Sequence, residues 1–151
     1  MPHALCLLTK TMTEVIFVET SANRMEFRAC EIAEENYARG RRLQIIAADQ
    51  EQAERLDHLL WTFKPDTFIP HGLWAGSPDE PAQPVVITPR KEAVEGMDSL
   101  LMMGYGEVDL VSQFSQAFHL VVVDNQERLD GSRGYWTLLK DAGFSLRHQS
   151  R

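Results

Sequence analysis

The chain is poor in the residues and motifs that carry covalent and metal chemistry. It has two cysteines, Cys6 and Cys30, too few and too unpatterned for a disulfide framework or a zinc site; a tail thiol and a helix-face packing residue in a reducing compartment account for them. Glycine-rich phosphate loops are missing as well. Gly104-Tyr105-Gly106 lacks a third glycine, Asp109 standing in that place, and no GxxxxGK[ST] pattern occurs. The segment from Glu19 to Asn23 contains no glycine and opens on an acid, which repels a pyrophosphate. Ser99 follows Gly96-Met97-Asp98 without the second glycine of a nucleophile elbow, and neither cysteine has a recognisable histidine partner. His58 lies four residues after Glu54, a helical spacing able to hold a metal, yet no third ligand has suitable spacing. No catalytic residue, cofactor or metal is expected, and the chain is expected to be non-catalytic by itself.

Positive charge and long apolar runs are also scarce. A formal net charge of −7 argues against a surface whose main task is to neutralise phosphates. No segment approaches the roughly 20 apolar residues needed to span a bilayer, and the run Ala4 to Leu8 is shorter than a signal-peptide core and lacks a basic lead. A cytoplasmic protein with no membrane contact is expected. What is present, 44% hydrophobic and 25% charged residues in 151, is the composition of one ordinary globular domain. Residues 1–14 read as a tail or edge element and residues 15–151 as the domain.

Val15 to Val18 is a run of apolar β-formers and predicts the first strand. Ser21 or Asn23, with Glu26 in capping-box spacing from the latter, then opens a helix carrying Met25, Ala29, Ile32 and Ala33 on one face and ending at Gly40. Leu43 to Ala47 reads as a strand covered on both faces. Asp49 with Gln52 caps a second helix with an apolar stripe of Ala53, Leu56, Leu59 and Leu60, which Pro65 stops soon after Trp61. Gly72 to Pro84 reads as one long loop, Val85 to Thr88 and Leu120 to Val123 as strands, and Ser99 to Met103 as a weaker one. Strand and helix alternating at this spacing predict an α/β fold: three layers, Rossmann-like, a mostly parallel sheet with helices on both faces.

The last helix is expected to start near Ser132, to bury Tyr135, Leu138, Leu139 and Ala142, and to end at Gly143. Its opposite face then carries Arg133, Trp136, Thr137 and Lys140, a large aromatic among cations. From Asp124 onward five basic residues meet four acidic ones, leaving ten basic and eighteen acidic for the rest, so the negative charge resides elsewhere. An electropositive surface with an aromatic and a helix N-terminus suits an acidic peptide ending in an apolar residue and a free carboxylate. Packing of Trp136 over a neighbouring loop is the structural alternative.

CEIAEENYARGRRLQIIA with EQAERLDHLLWTFKPDTFIPHGL, and SRGYWTLLKDAGFSL near the end, resemble the chi subunit family of bacterial DNA polymerase III, an accessory protein of the clamp-loader complex. The resemblance covers nearly all of the chain after Val15 and is weakest from Gly76 to Gln113. It implies an adaptor in DNA replication, holding the psi subunit and receiving the acidic C-terminal tail of single-stranded-DNA-binding protein, which ends in Asp-Ile-Pro-Phe. DNA would be reached mainly through these partners. Arg133 matches the family arginine that grips the tail, Trp136 stands where the family usually has Tyr, and Ala142-Gly143-Phe144 matches outright. A family lysine before the helix has no certain counterpart, and Arg128 substitutes for it, with Lys140 as a further cation of the tail site. The junction with Trp61, Phe68, Pro70 and His71 is similar to a family element and is the expected psi-binding surface; core and turn roles are its alternative. Two other classes compete with the adaptor: a direct single-strand binder with Trp136 as a stacking platform, and an atypical Rossmann nucleotide-binding protein.

Overall fold

A computed structural model describes residues 13–76 and 83–150. Strand β1, Glu14–Thr20, is followed by a 3-10 turn at Ala22–Arg24 and helix α1, Met25–Ala38; β2 is Leu43–Ile46 and α2 Gln50–Thr62. Then come β3 His71–Leu73, β4 Val85–Thr88, β5 Ser99–Met102, the single-turn α3 Val108–Val111, β6 Gln116–Val122, α4 Gln126–Asp141 and β7 Ser145–Gln149. The seven strands form one sheet in the order β3-β4-β2-β5-β6-β1-β7, and every pairing is parallel.

Alternation along the strands divides the core in two. Ile16 and Val18 of β1 point with Ile45 and Leu101 toward α1 and α2, where Ala29, Ile32, Leu56 and Leu60 meet them. Val15 and Phe17 point the other way, with Val86, Leu100 and Val121, toward Leu110, Tyr135 and Leu139 of α3 and α4. A sheet covered on both faces needs apolar residues at successive positions, which is why the short runs in β2, β4 and β5 read as strands. The expected three-layer α/β fold is the observed one.

The local signals held in part. Asp49 accepts from the Gln52 backbone N–H at 2.8 Å and so caps α2. At the start of α1, Ser21 and Asn23 make no side-chain cap; the Ala22 N–H instead donates to the Asp124 carboxylate at 2.9 Å. Both α1 and α4 end in a Schellman turn: Gly40 and Gly143 take φ of 70° and 95°, and Arg41 and Phe144 donate back to the carbonyls of Asn36 and Leu139 at 2.9 and 3.2 Å.

Two strands and a helix start differ from expectation. β3 lies inside what read as the end of a turn and the opening of the long loop, and β7 follows the last helix unannounced. Both are edge strands, too short or too polar to show a buried run. Helix α4 begins at Gln126, capped by Asn125, whose side chain accepts from the Arg128 N–H at 3.0 Å, and not at Ser132. The expected tail lies outside the described residues up to residue 12, while Glu14 already belongs to β1 and Thr13 is buried, donating to the Phe114 carbonyl at 2.7 Å.

Candidate protein-interaction sites

Ser132, the expected helix start, and Gly131 before it serve the packing of α4 on the sheet. The Ser132 hydroxyl meets Nε2 of His119 on β6 at 2.8 Å, while His119 Nδ1 meets the Gly104 carbonyl at 3.2 Å. These roles fit the neutral ring, Nδ1 donating and Nε2 accepting. Burial, helped slightly by Arg128 and opposed by the bond to Gly104, pushes the His119 imidazole down to about 4. A side chain at Gly131 would collide with the Tyr105 hydroxyl. Tyr135, one turn on, donates to the Gly106 carbonyl at 2.6 Å and accepts from the Gly106 N–H at 3.1 Å; burial holds its phenol up at about 12.

This seating turns α4 away from the expected phase. Ser132, Tyr135 and Leu139 face the sheet and are buried, whereas Leu138, expected in the core, is 52% exposed and Ala142 is also exposed. Trp136, expected to face solvent, leans over the sheet, half-buried, with its ring edge-on to Phe17 at 5.0 Å and 79°. Beside it runs a groove of about 450 Å³ between α4 and the end strand β7, with Arg133, Trp136 and Thr137 on one wall and Phe17, Glu19, Val121 and His148 on the floor and far side. The Arg133 side chain is 67% exposed and, among the described residues, its guanidinium holds a single long contact of 3.4 Å to Asp130. His148 Nε2 meets a Glu19 carboxylate oxygen at 2.6 Å.

Of the residues expected to bind an acidic tail, the structure brings Arg133 and Trp136 together and leaves three outside the groove. Arg128 lies five positions from Arg133, about 140° around the helix, and reaches Met25 Sδ of α1 at 3.1 Å. Lys140 is exposed two turns further along. Phe144 is buried in the second core cluster, so the Ala142-Gly143-Phe144 match marks the helix end and its anchor. The helix N-terminus is also displaced from Arg133, by seven residues or about 10 Å of rise. Phe17, Glu19 and His148 escaped the sequence reading. Phe17 and Glu19 share a face by strand alternation, but His148 enters only because β7 pairs with β1 in the register Phe17↔His148.

The second aromatic feature lies at the end of α2. Trp61 is 47% and Phe68 67% exposed, with ring centroids 5.5 Å apart. Trp61 also packs at 4.2 Å on His71, whose ring is buried and whose Nδ1 and Nε2 face the carbonyls of Ile69 and Asp57 at 2.7 and 2.8 Å. His71 is therefore the support of the patch and Pro70 its half-buried neighbour, while Trp61 and Phe68 form its surface.

Other chemistry finds no setting among the described residues. No group of three or more His, Cys, Asp or Glu side chains is placed to hold a metal, and no helix is long and apolar enough to cross a membrane. The Cys30 thiol is buried and pushed up to about 12 by that burial, with Glu26 and Glu31 adding to it, so it is not a nucleophile. At the turn after β1, where a nucleotide phosphate would sit, the Ala22 N–H is already taken by Asp124. Trp136 is a wall of a groove and not a free-standing stacking platform.

Comparison with known proteins gives a consistent result. The family model described as DNA polymerase III chi subunit, HolC, matches residues 12–147. The DNA polymerase III subunit chi of Escherichia coli is 30% identical over 123 residues, 81% of this chain and 82% of that protein. The subunit chi of Pseudomonas aeruginosa is 27% identical over 118 residues, 78% of this chain and 80% of that protein. Among solved structures, domain 2 of the DEAD-box helicase Mss116p bound to an RNA duplex is similar with a TM-score of 0.61 at 14% identity, covering 91% of this chain and 63% of that one. At that identity the likeness shows the fold alone.

Proposed function

The chain belongs to the DNA polymerase III chi subunit family, an accessory and not a catalytic part of that polymerase, and from this premise we propose that it is a two-sided adaptor. The groove beside α4 takes the acidic C-terminal tail of single-stranded-DNA-binding protein. The Trp61–Phe68 patch takes a segment of the psi subunit, and the chain thereby links the clamp-loader complex to coated DNA in the bacterial cytoplasm. The observation that carries this reading is the groove itself. It sets an exposed guanidinium on the same wall as a half-buried indole, the pairing that a peptide ending in an apolar residue and a free carboxylate requires.

Fluorescence polarisation of a labelled acidic peptide ending in Asp-Ile-Pro-Phe tests it. Arg133→Ala should weaken binding at least about tenfold, the loss expected of a hot-spot arginine, and Phe68→Ala should leave it unchanged. A psi segment should bind the peptide-saturated protein as well as it binds the free one, and Phe68→Ala should abolish that binding. Competition between the two ligands, or tail affinity indifferent to Arg133, would refute the arrangement.

A further inference from the structure

We propose that His148 is the second cationic contact of the acidic tail, and that its pairing with Glu19 sets how strongly the groove accepts acidic peptides; this rests on the tail-binding reading above. The groove is lined by a single acid, Glu19, whose side chain is 28% exposed. A carboxylate there repels the ligand that Arg133 attracts. His148 is the group that meets it, at 2.6 Å through Nε2, and Nδ1 has no hydrogen-bond partner among the described residues. With a neutral imidazole, Glu19 keeps its full negative charge toward the groove. With a cationic imidazole the pair is neutral overall, and Nδ1–H becomes a donor for the incoming peptide.

The surroundings leave this exchange to the two residues. From β1 the charged group facing His148 is Glu19, and from α4 it is Arg133, itself in long contact with Asp130 at 3.4 Å. Arg147, the neighbour on β7, pairs with Glu14 at 3.4 Å and lines a separate cleft with Asn36 and Phe118. Arg128 contacts Met25 on α1. The role that the family resemblance implied for Arg128 thus passes to a residue on the opposite wall.

The experiment uses the full chain and a labelled acidic peptide ending in Phe with a free carboxylate, at low salt, between about pH 8 and pH 6, where the peptide's own carboxylates stay ionised. The parent protein should bind about threefold more tightly at the lower pH, the scale of a partly exposed charge pair. His148→Gln should lose that dependence and bind the more weakly at pH 6. Glu19→Gln should bind at pH 8 about as tightly as the parent does at pH 6. A His148→Gln variant with undiminished pH dependence, or a Glu19→Gln variant no tighter than the parent, would overturn the proposal. If Arg133→Ala weakens binding at least about tenfold while both of these variants match the parent, the groove reading stands and this inference falls; if Arg133→Ala binds normally, both fall. Should His148→Gln fail to fold, Glu19→Gln decides alone.

Discussion

Trp136 is half-buried, edge-on against Phe17 in the second core, whereas Phe68 keeps 67% of its surface in solvent and lies beside Trp61. The groove around the first also holds Arg133, Glu19 and His148, while the surface of the patch is two aromatic rings over a buried histidine. The difference teaches where each surface draws its energy. A ligand of the groove exchanges charge with exposed side chains in a site whose apolar floor is part of the fold. A ligand of the patch gains chiefly by covering apolar area that folding left open, roughly 25 cal/mol per Å². One surface should therefore answer to salt, pH and core integrity, and the other to shape.

The strongest way to break this contrast is acid. α4, which carries one wall of the groove, is fixed to the sheet by the Ser132–His119–Gly104 chain, and the folded protein holds the His119 ring neutral down to about 4 against an ordinary value of 6.5. Between those values the unfolded chain binds a proton that the folded one refuses, so stability rises with pH there. His119 therefore contributes its full share above pH 6.5 and loses it as pH falls to about 4, a cost on the order of 3 kcal/mol. Urea unfolding at a series of pH values should show that loss, and His119→Gln should flatten it. An unchanged slope in the variant would place the acid sensitivity elsewhere.

Next in size is the cost of removing each aromatic. Trp136→Ala should destabilise the fold by about 2 kcal/mol, below the 3–5 kcal/mol typical of a fully buried Trp because part of the side chain remains exposed. Phe68→Ala should stay within about 0.5 kcal/mol of the parent, as exposed substitutions do. Thermal and denaturant melts of both variants measure this. Equal losses would mean that Phe68 packs more tightly than its exposure indicates.

The same contrast explains what was legible in the sequence. Buried parallel strands announce themselves by consecutive apolar residues, so β1, β2, β4, β5 and β6 were readable, as was the Asp49 cap. Edge strands do not: β7, Ser-Leu-Arg-His-Gln, places Leu146 alone against the second core, and without β7 the residue His148 could not be set beside Glu19. The phase of α4 was hidden for another reason. Ser132 reads as a cap, and only the position of His119, brought in by the sheet, shows it to be a packing residue. A helix assigned two turns too short then took Leu138 inward and Trp136 outward. The patch was readable as an aromatic cluster, but which of Trp61, Phe68, Pro70 and His71 would face solvent needed the fold.

Salt should separate the two surfaces by a smaller margin. Raising ionic strength from about 0.05 to 0.5 M shortens the screening length severalfold. Binding of the acidic peptide should then weaken by several-fold, while a psi segment on the Trp61–Phe68 patch should hold or gain affinity. Polarisation titrations at both salt levels check the sign, and parallel weakening would show that the patch ligand is also held by charge.

The smallest effect sharpens the comparison by leaving both surfaces untouched. Gly134 lies in the middle of α4 on the exposed side, its φ is not in the left-handed region, and a Cβ built there meets nothing within 4 Å. Glycine in a helix interior costs about 0.5–1 kcal/mol relative to alanine, because it loses more backbone entropy on folding. Gly134→Ala should therefore stabilise the protein by that amount. It adjoins Arg133 but does not line the groove, so peptide affinity should stay at the parent value. A rise in melting temperature with unchanged affinity would show that Arg133 acts from a helix already rigid at that turn. A stabilised variant with altered affinity would show instead that the groove draws on flexibility in α4, a property the patch at the end of α2 would not share.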